Sequence, residues 1–215
     1  EPVSRTLRFP GKAVPVTRQL DGEGSAVGNF LVADTGHHRI IELKDDLETV
    51  VRSWGAGEKG SADGEGSTAG NEAAQFTEPQ GLTLLPAELA EQVGYDIVVA
   101  DTVNHRLRGI STSTGSVTTL AGNGVQRLID SERVSNAQAD ELGSLGTSPL
   151  NVSLSSPWDV LWSEKTQRVV VAMAGTHQIF AFDPVTGETS IWAGTGLEGL
   201  TDGEAGEAWL SLIHI

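Results

Sequence analysis

The chain has 215 residues, 38% hydrophobic and 20% charged, which suits one large soluble domain or two small ones. Its formal net charge is −15, from 29 acidic against 14 basic residues, with no basic cluster in the sequence; neutralising phosphates needs clustered Lys and Arg, so nucleic acid and anionic membrane surfaces are excluded as expected partners. Cysteine is absent, which rules out disulfides and thiolate metal sites, and no apolar stretch reaches the ~18 residues that span a bilayer.

Three segments repeat one another along the chain. The first runs from Phe9-Pro10-Gly11 through Leu31-Val32-Ala33-Asp34-Thr35-Gly36-His37-His38-Arg39-Ile40 to Ser53-Trp54-Gly55. The second runs from Pro79-Gln80-Gly81-Leu82 through Ile97-Val98-Val99-Ala100-Asp101-Thr102-Val103-Asn104-His105-Arg106-Leu107 to Leu120-Ala121-Gly122. The third runs from Pro157-Trp158-Asp159-Val160 through Val169-Val170-Val171-Ala172-Met173-Ala174-Gly175-Thr176-His177-Gln178-Ile179 to Trp192-Ala193-Gly194. His38, His105 and His177 each lie five residues after the strand alanine, and Gly55, Gly122 and Gly194 each lie 17 residues after that histidine. Chance does not hold such a register through three copies.

Each copy parses as four short strands. In the second, Gly81 to Leu85 predicts a first strand and Asp96 to Ala100 a second, apolar on both faces as a buried strand is. His105 to Ser111 and Val117 to Ala121 follow as a hairpin through Ser113-Thr114-Gly115-Ser116, echoed by Asp183 to Glu188 in the third copy. The Gly- and Ser-rich stretches 57–70 and 122–150 read as surface loops, and the many glycines suit tight turns. Four-stranded units with loop-rich spacers describe the blades of an all-β propeller.

The pattern Ala-Asp-Thr-x-x-His-Arg-Ile/Leu after a Pro-x-Gly strand resembles the NHL repeat. Ser156-Pro157-Trp158-Asp159-Val160, the Ala172-Met173 departure and the opening Leu7 to Lys12 are similar to one branch of that family. That branch carries a thioredoxin-like domain before the propeller. The resemblance covers roughly residues 7 to 209 and implies a ring of about six blades, of which about three are present, together with a protein partner or the attached thioredoxin-like domain. On this reading residues 1–6 end an upstream linker, and blades occupy 7–75, 76–153 (with a long loop, 125–152 being a local insertion) and 154–209. Residues 210–215 are similar to a translated sequencing adapter and are read as a non-native tail, His214 included; a short apolar strand is the alternative. The chain is thus expected to be truncated at both ends.

The candidate site residues are those of the repeat motif: Asp34, His38, Arg39, Asp101, His105, Arg106, Trp158, Asp159, His177 and Gln178. They are read as structural groups that also offer an interaction surface. A channel metal site built on Asp34 and Asp101 is disfavoured because Met173 breaks the ring, so each carboxylate is expected to accept N–H bonds from its own turn. Three histidines at equivalent positions of successive blades are spread around a ring and cannot converge on one metal, which makes them hydrogen-bonding groups within or between blades. Arg39 and Arg106 are expected to pair with acidic neighbours. Trp54 and Trp192 read as inter-blade packing, with Trp158 and Trp162 as further candidates for an aromatic surface. The acidic loops 63–66 and 202–207 lack a calcium ligand series and read as solvated turns. No catalytic residue, cofactor or metal is assigned. The expected function is a non-catalytic, cytoplasmic interaction or regulatory module, and the alternative is a propeller enzyme with metal-dependent lyase or lactonase activity in the central channel.

Overall fold

The computed structural model describes residues 7–16, 28–127, 143–144 and 148–212. The expected linker 1–6, most of the insertion expected at 125–152, and His214 lie outside these residues. The first sheet is built from β1 (Ala13–Val16), β2 (Asn29–Asp34), β3 (Arg39–Leu43), β4 (Val50–Trp54) and the short β5 (Gly70–Asn71), in that order. The second is built from β6 (Gly81–Leu84), β7 (Ile97–Asp101), β8 (Arg106–Ile110) and β9 (Val117–Ala121). The third contains β10 (Gly143–Ser144), β11 (Pro157–Ser163), β12 (Arg168–Met173), β13 (Gln178–Phe182) and β14 (Thr189–Ala193), with β10 added beside β14. The four long strands of each sheet form an antiparallel meander, so the molecule is three blades of an unclosed β-propeller.

Why β2, β7 and β12 are apolar on both faces follows from the stacking. Along β7, Ile97 and Val99 pack with Leu31, Ala33, Ile40 and Trp54 of the first blade, whereas Val98 and Ala100 pack with Val160, Val169, Val171 and Met173 of the third. A strand alternates its side chains between faces, so a blade sandwiched between two others needs hydrophobic residues at every position. Fully burying a side chain of this size contributes about 1.5–3 kcal/mol, so the inter-blade layers are the main source of stability. The rule fades at the far edge: on β12, Val169, Val171 and Met173 are buried, while Val170 and Ala172 on the opposite face are only half-buried.

Two features depart from the sequence expectation. A helix, α1 (Ala87–Val93), interrupts the second blade between β6 and β7, opening behind Pro86 and closing on Gly94 at φ 84°. Its Leu89, Ala90 and Val93 lean on the core between the second and third blades, and the adjoining Tyr95 hydroxyl donates to Pro184 O of the third blade at 3.1 Å. The stretch 57–70 is more than a surface loop, because it folds back onto the second blade. Gly64 forms a bridge with Val117, and the Asp63 carboxylate accepts from Arg108 Nη2 at 2.8 Å and from the Thr119 N–H at 3.0 Å. A buried guanidinium demands acceptors, so this acidic loop is a counter-ion instead of a solvated turn.

Candidate functional site

The turn between the second and third strands of each blade carries the motif, and it is built the same way each time. Thr35–His37 and Ala174–Thr176 form single 3-10 turns, each closed by a histidine in the left-handed region. His38, His105 and His177 have φ 53°, 52° and 48°. This conformation, uncommon outside glycine, turns the imidazole away from its own blade and towards the next. The residue before each blade-opening proline is also left-handed, with φ 48° at Phe9, 52° at Glu78 and 49° at Ser156.

These two left-handed residues meet. The Glu78 backbone N–H donates to His38 Nδ1 at 3.2 Å, and the Ser156 N–H donates to His105 Nδ1 at 2.9 Å. A threonine completes the grip: Thr35 Oγ1 donates to Pro79 O at 2.6 Å and Thr102 Oγ1 to Pro157 O at 2.8 Å. Threonine and histidine of one blade therefore clamp both ends of the two-residue step, Glu78-Pro79 or Ser156-Pro157, through which the chain enters the next. Both imidazoles must present an unprotonated Nδ1 to that N–H. Burial lowers the pKa of His105, and burial followed by Lys59 lowers that of His38, with Arg8 and His37 adding to the lowering and Glu78 opposing it. In the third copy the Leu212 N–H lies 3.4 Å from His177 Nδ1, and Ala174 stands where the threonine hydroxyl would be.

The aspartates work inside a blade. Asp34 is fully buried and accepts from the Arg8 N–H at 2.7 Å and Arg39 Nε at 2.8 Å, with His37 Nδ1 at 2.9 Å. Asp101, equally buried, accepts from the Thr77 N–H at 2.8 Å, Asn104 Nδ2 at 2.7 Å and Arg108 Nη1 at 2.9 Å. The backbone donors come from the segment that opens the same blade and lie 26 and 24 residues away, so they do not belong to the aspartate's own turn. Burial pushes the Asp101 carboxyl up, against the pull of Arg108, Asn104 and the Thr77 N–H. In the third blade Met173 Sδ faces the Ser155 N–H at 3.2 Å. Thr176, at the position of His37 and Asn104, then has no carboxylate to bond, and its buried Oγ1 lacks a partner among the described residues, as does Gln178 Oε1.

The remaining candidates fall in different places. Arg39 pairs with Asp34, whereas Arg106 Nε is buried without a partner among the described residues. The pairing assigned to Arg106 passes to Arg108, which is fully buried, stacks 5.1 Å from the Phe76 ring and donates to Asp101, Asp63 and two carbonyls. Trp54 is buried, while Trp192 is 36% exposed. Trp54 immediately precedes its glycine and Trp192 lies two before, and one residue of offset reverses the strand face. Trp158 and Asp159 sit at a β-bulge on the innermost strand of the third blade. Lys12 Nζ reaches across from the first blade to Asp159 Oδ1 at 2.7 Å and to Val160 O at 2.9 Å. Asp159 also lies against Gly81 of the second blade, where a Cβ would meet Asp159 Oδ1 at 2.5 Å. Among the described residues, no group of three His, Asp or Glu side chains is placed to hold a metal ion.

No family model matches the chain. In sequence it is 34% identical over 192 residues to Protein SUPPRESSOR OF QUENCHING 1, chloroplastic, of Arabidopsis thaliana, covering 89% of this chain and 15% of that protein. It is 34% identical over 182 residues to NHL repeat-containing protein 2 of Gallus gallus and 32% identical over 181 residues to that of Homo sapiens. Each of these two alignments covers 81% of this chain and 20% of the relative, so the chain spans a fifth or less of the length of these relatives. Among solved structures, an auxiliary nutrient binding protein from Bacteroides thetaiotaomicron VPI-5482 aligns over 76% of this chain and 34% of its own, at 16% identity and a TM-score of 0.45.

Proposed function

The chain is a stretch of NHL-repeat β-propeller, and from that footing we propose that it is a non-catalytic docking module of a larger protein that also carries a thioredoxin-like domain. One observation carries the reading. The polar residues common to the repeats are already engaged inside the fold, the aspartates within blades and the histidines between them. The test is partner capture by the full-length protein, compared with versions lacking the propeller or lacking the thioredoxin-like part. Loss of partners on removing the propeller is expected; loss only on removing the thioredoxin-like part overturns the reading.

We further propose a cytoplasmic setting. No helix among the described residues is long and apolar enough to cross a membrane. Imaging of a full-length fluorescent fusion tests the setting, and accumulation in a plastid, the location in the Arabidopsis relative's name, overturns it.

A further inference from the structure

The repeats supply an internal control for which charges the seams between blades require. The first seam opens into a cleft of about 510 Å³ lined by Arg8, Phe9, His38, Lys59, Glu78 and Gln80. The backbone of Arg8 is structural, donating to Asp34 and accepting from the Gly36 N–H, but among the described residues its guanidinium lies only against the Phe9 ring, at 5.9 Å. In the second blade the position of Arg8 is Thr77, whose N–H makes the same bond to its aspartate. Lys59 lies four residues after Gly55; four residues after Gly122 stands Gln126, and four after Gly194 stands Glu198. Gln126 Nε2 reaches Ser155 Oγ at 3.4 Å, and Glu198 lies 3.9 Å from His177 Nε2. The full clamp is thus assembled beside a cation and beside a neutral amide, and its histidine contact alone beside an anion. Holding blades together does not require the positive charge of the first seam.

That charge is set in a chain of net −15. The Lys59 pair with Glu78, at 2.7 Å, is exposed on both sides, and pairs of this kind are weak enough for another carboxylate to replace. Beside it Phe9 is 76% exposed and offers an apolar wall. We infer that this cleft docks an acidic peptide segment of a partner protein, with Arg8 and Lys59 receiving its carboxylates and Phe9 packing against its apolar atoms. Elsewhere the acidic surface repels such a segment, so the same charge that excludes it generally directs it to this seam. The inference rests on the docking reading and names the chemistry of its partner.

The test uses the full-length protein and a fluorescein-labelled oligoglutamate peptide followed by anisotropy. The variant R8T/K59Q installs the residues that the second repeat carries at these positions, and K165Q removes a lysine elsewhere on the surface. Salt-sensitive binding by the wild type and K165Q, weakened about tenfold or more in R8T/K59Q at an unchanged thermal midpoint, is the expected result. No binding by the wild type, or equal binding by R8T/K59Q and K165Q, overturns the inference. Partner capture separates it from the docking reading. A partner set that survives R8T/K59Q but not removal of the propeller overturns the cleft and leaves docking standing; a set that survives removal of the propeller overturns both.

Discussion

Gly122 explains a spacing that the sequence displays without a reason. It sits at φ 98°, and a Cβ there would run into the His105 carbonyl; Gly55, at φ 115°, would place its Cβ 2.7 Å from the His38 carbonyl. The 17-residue interval is therefore the distance along the hairpin from a left-handed histidine to the backbone packed against it. Gly122→Ala is expected to cost about 1–3 kcal/mol, from a strained backbone and a contact with nowhere to go. Gly94→Ala is the control, because Gly94 is also left-handed but has open space around it, and it should cost about 1 kcal/mol or less. Urea unfolding of the two variants in the full-length protein checks the order. The histidines make a second prediction. Their lowered pKa means the folded state favours the neutral ring. The resulting stability is complete above about pH 6.5 and is lost as pH falls through the lowered folded values. The urea midpoint should drop between about pH 7.5 and about pH 5, and His105→Asn, which tolerates the left-handed backbone, should flatten part of that drop. A drop that is identical in the variant would remove His105 from the account.

At the scale of elements, the seam and the buried ion pair stabilise by different physics. Thr102 and His105 hold the same Ser156-Pro157 step between them, so their substitutions should not add. Thr102→Val leaves the Pro157 carbonyl short of a donor and should cost about 1–3 kcal/mol. Combined with His105→Asn, it should show a coupling of at least about 0.5 kcal/mol, whereas the pair Thr35→Val and His105→Asn, on different seams, should be additive. A double-mutant cycle on urea midpoints reads both. Asp101→Asn removes the only fully buried counter-ion of Arg108 among the described residues and should cost about 3–5 kcal/mol. Asp34→Asn should cost less, since its partner Arg39 is 25% exposed and recovers water.

Over the whole molecule, the blades are stacked units, each buried only by its neighbours. The second blade is covered on both sides, whereas β12 turns Val170 and Ala172 to a half-open face, and Trp158, Leu161, Trp192 and Trp209 are exposed in the same part of the chain. Expressed by itself as residues 1–209, the chain should self-associate; light scattering that finds a monodisperse monomer with a cooperative melt would contradict this. The limits of legibility follow the same division. Strand order and the hairpins of the second blade were visible, with β9 read at its observed bounds and β7 one residue early, because period and turn chemistry are local. Helix α1 was missed although Pro86 and Gly94 flank a run of good helix formers, because a short insertion leaves no trace in the repeat pattern. The partner of Arg108 was out of reach, since Asp63 lies 45 residues upstream and the other copies carry Ile41 and Phe180 at the position of Arg108.

By itself the sequence determined the repeat, the four-stranded unit and so the propeller. These are written in short-range periodicity and in the fixed interval between a left-handed histidine and its glycine. Only the tertiary structure decided what the recurring polar residues hold. It directed aspartates inward to the opening of their own blade and histidines outward to the next, because a turn's direction depends on the strands it joins. It also brought Arg8, His38 and Lys59 into one cleft, which no run of residues announced: charge adds up in space, and these three are neighbours only after the second blade has closed onto the first.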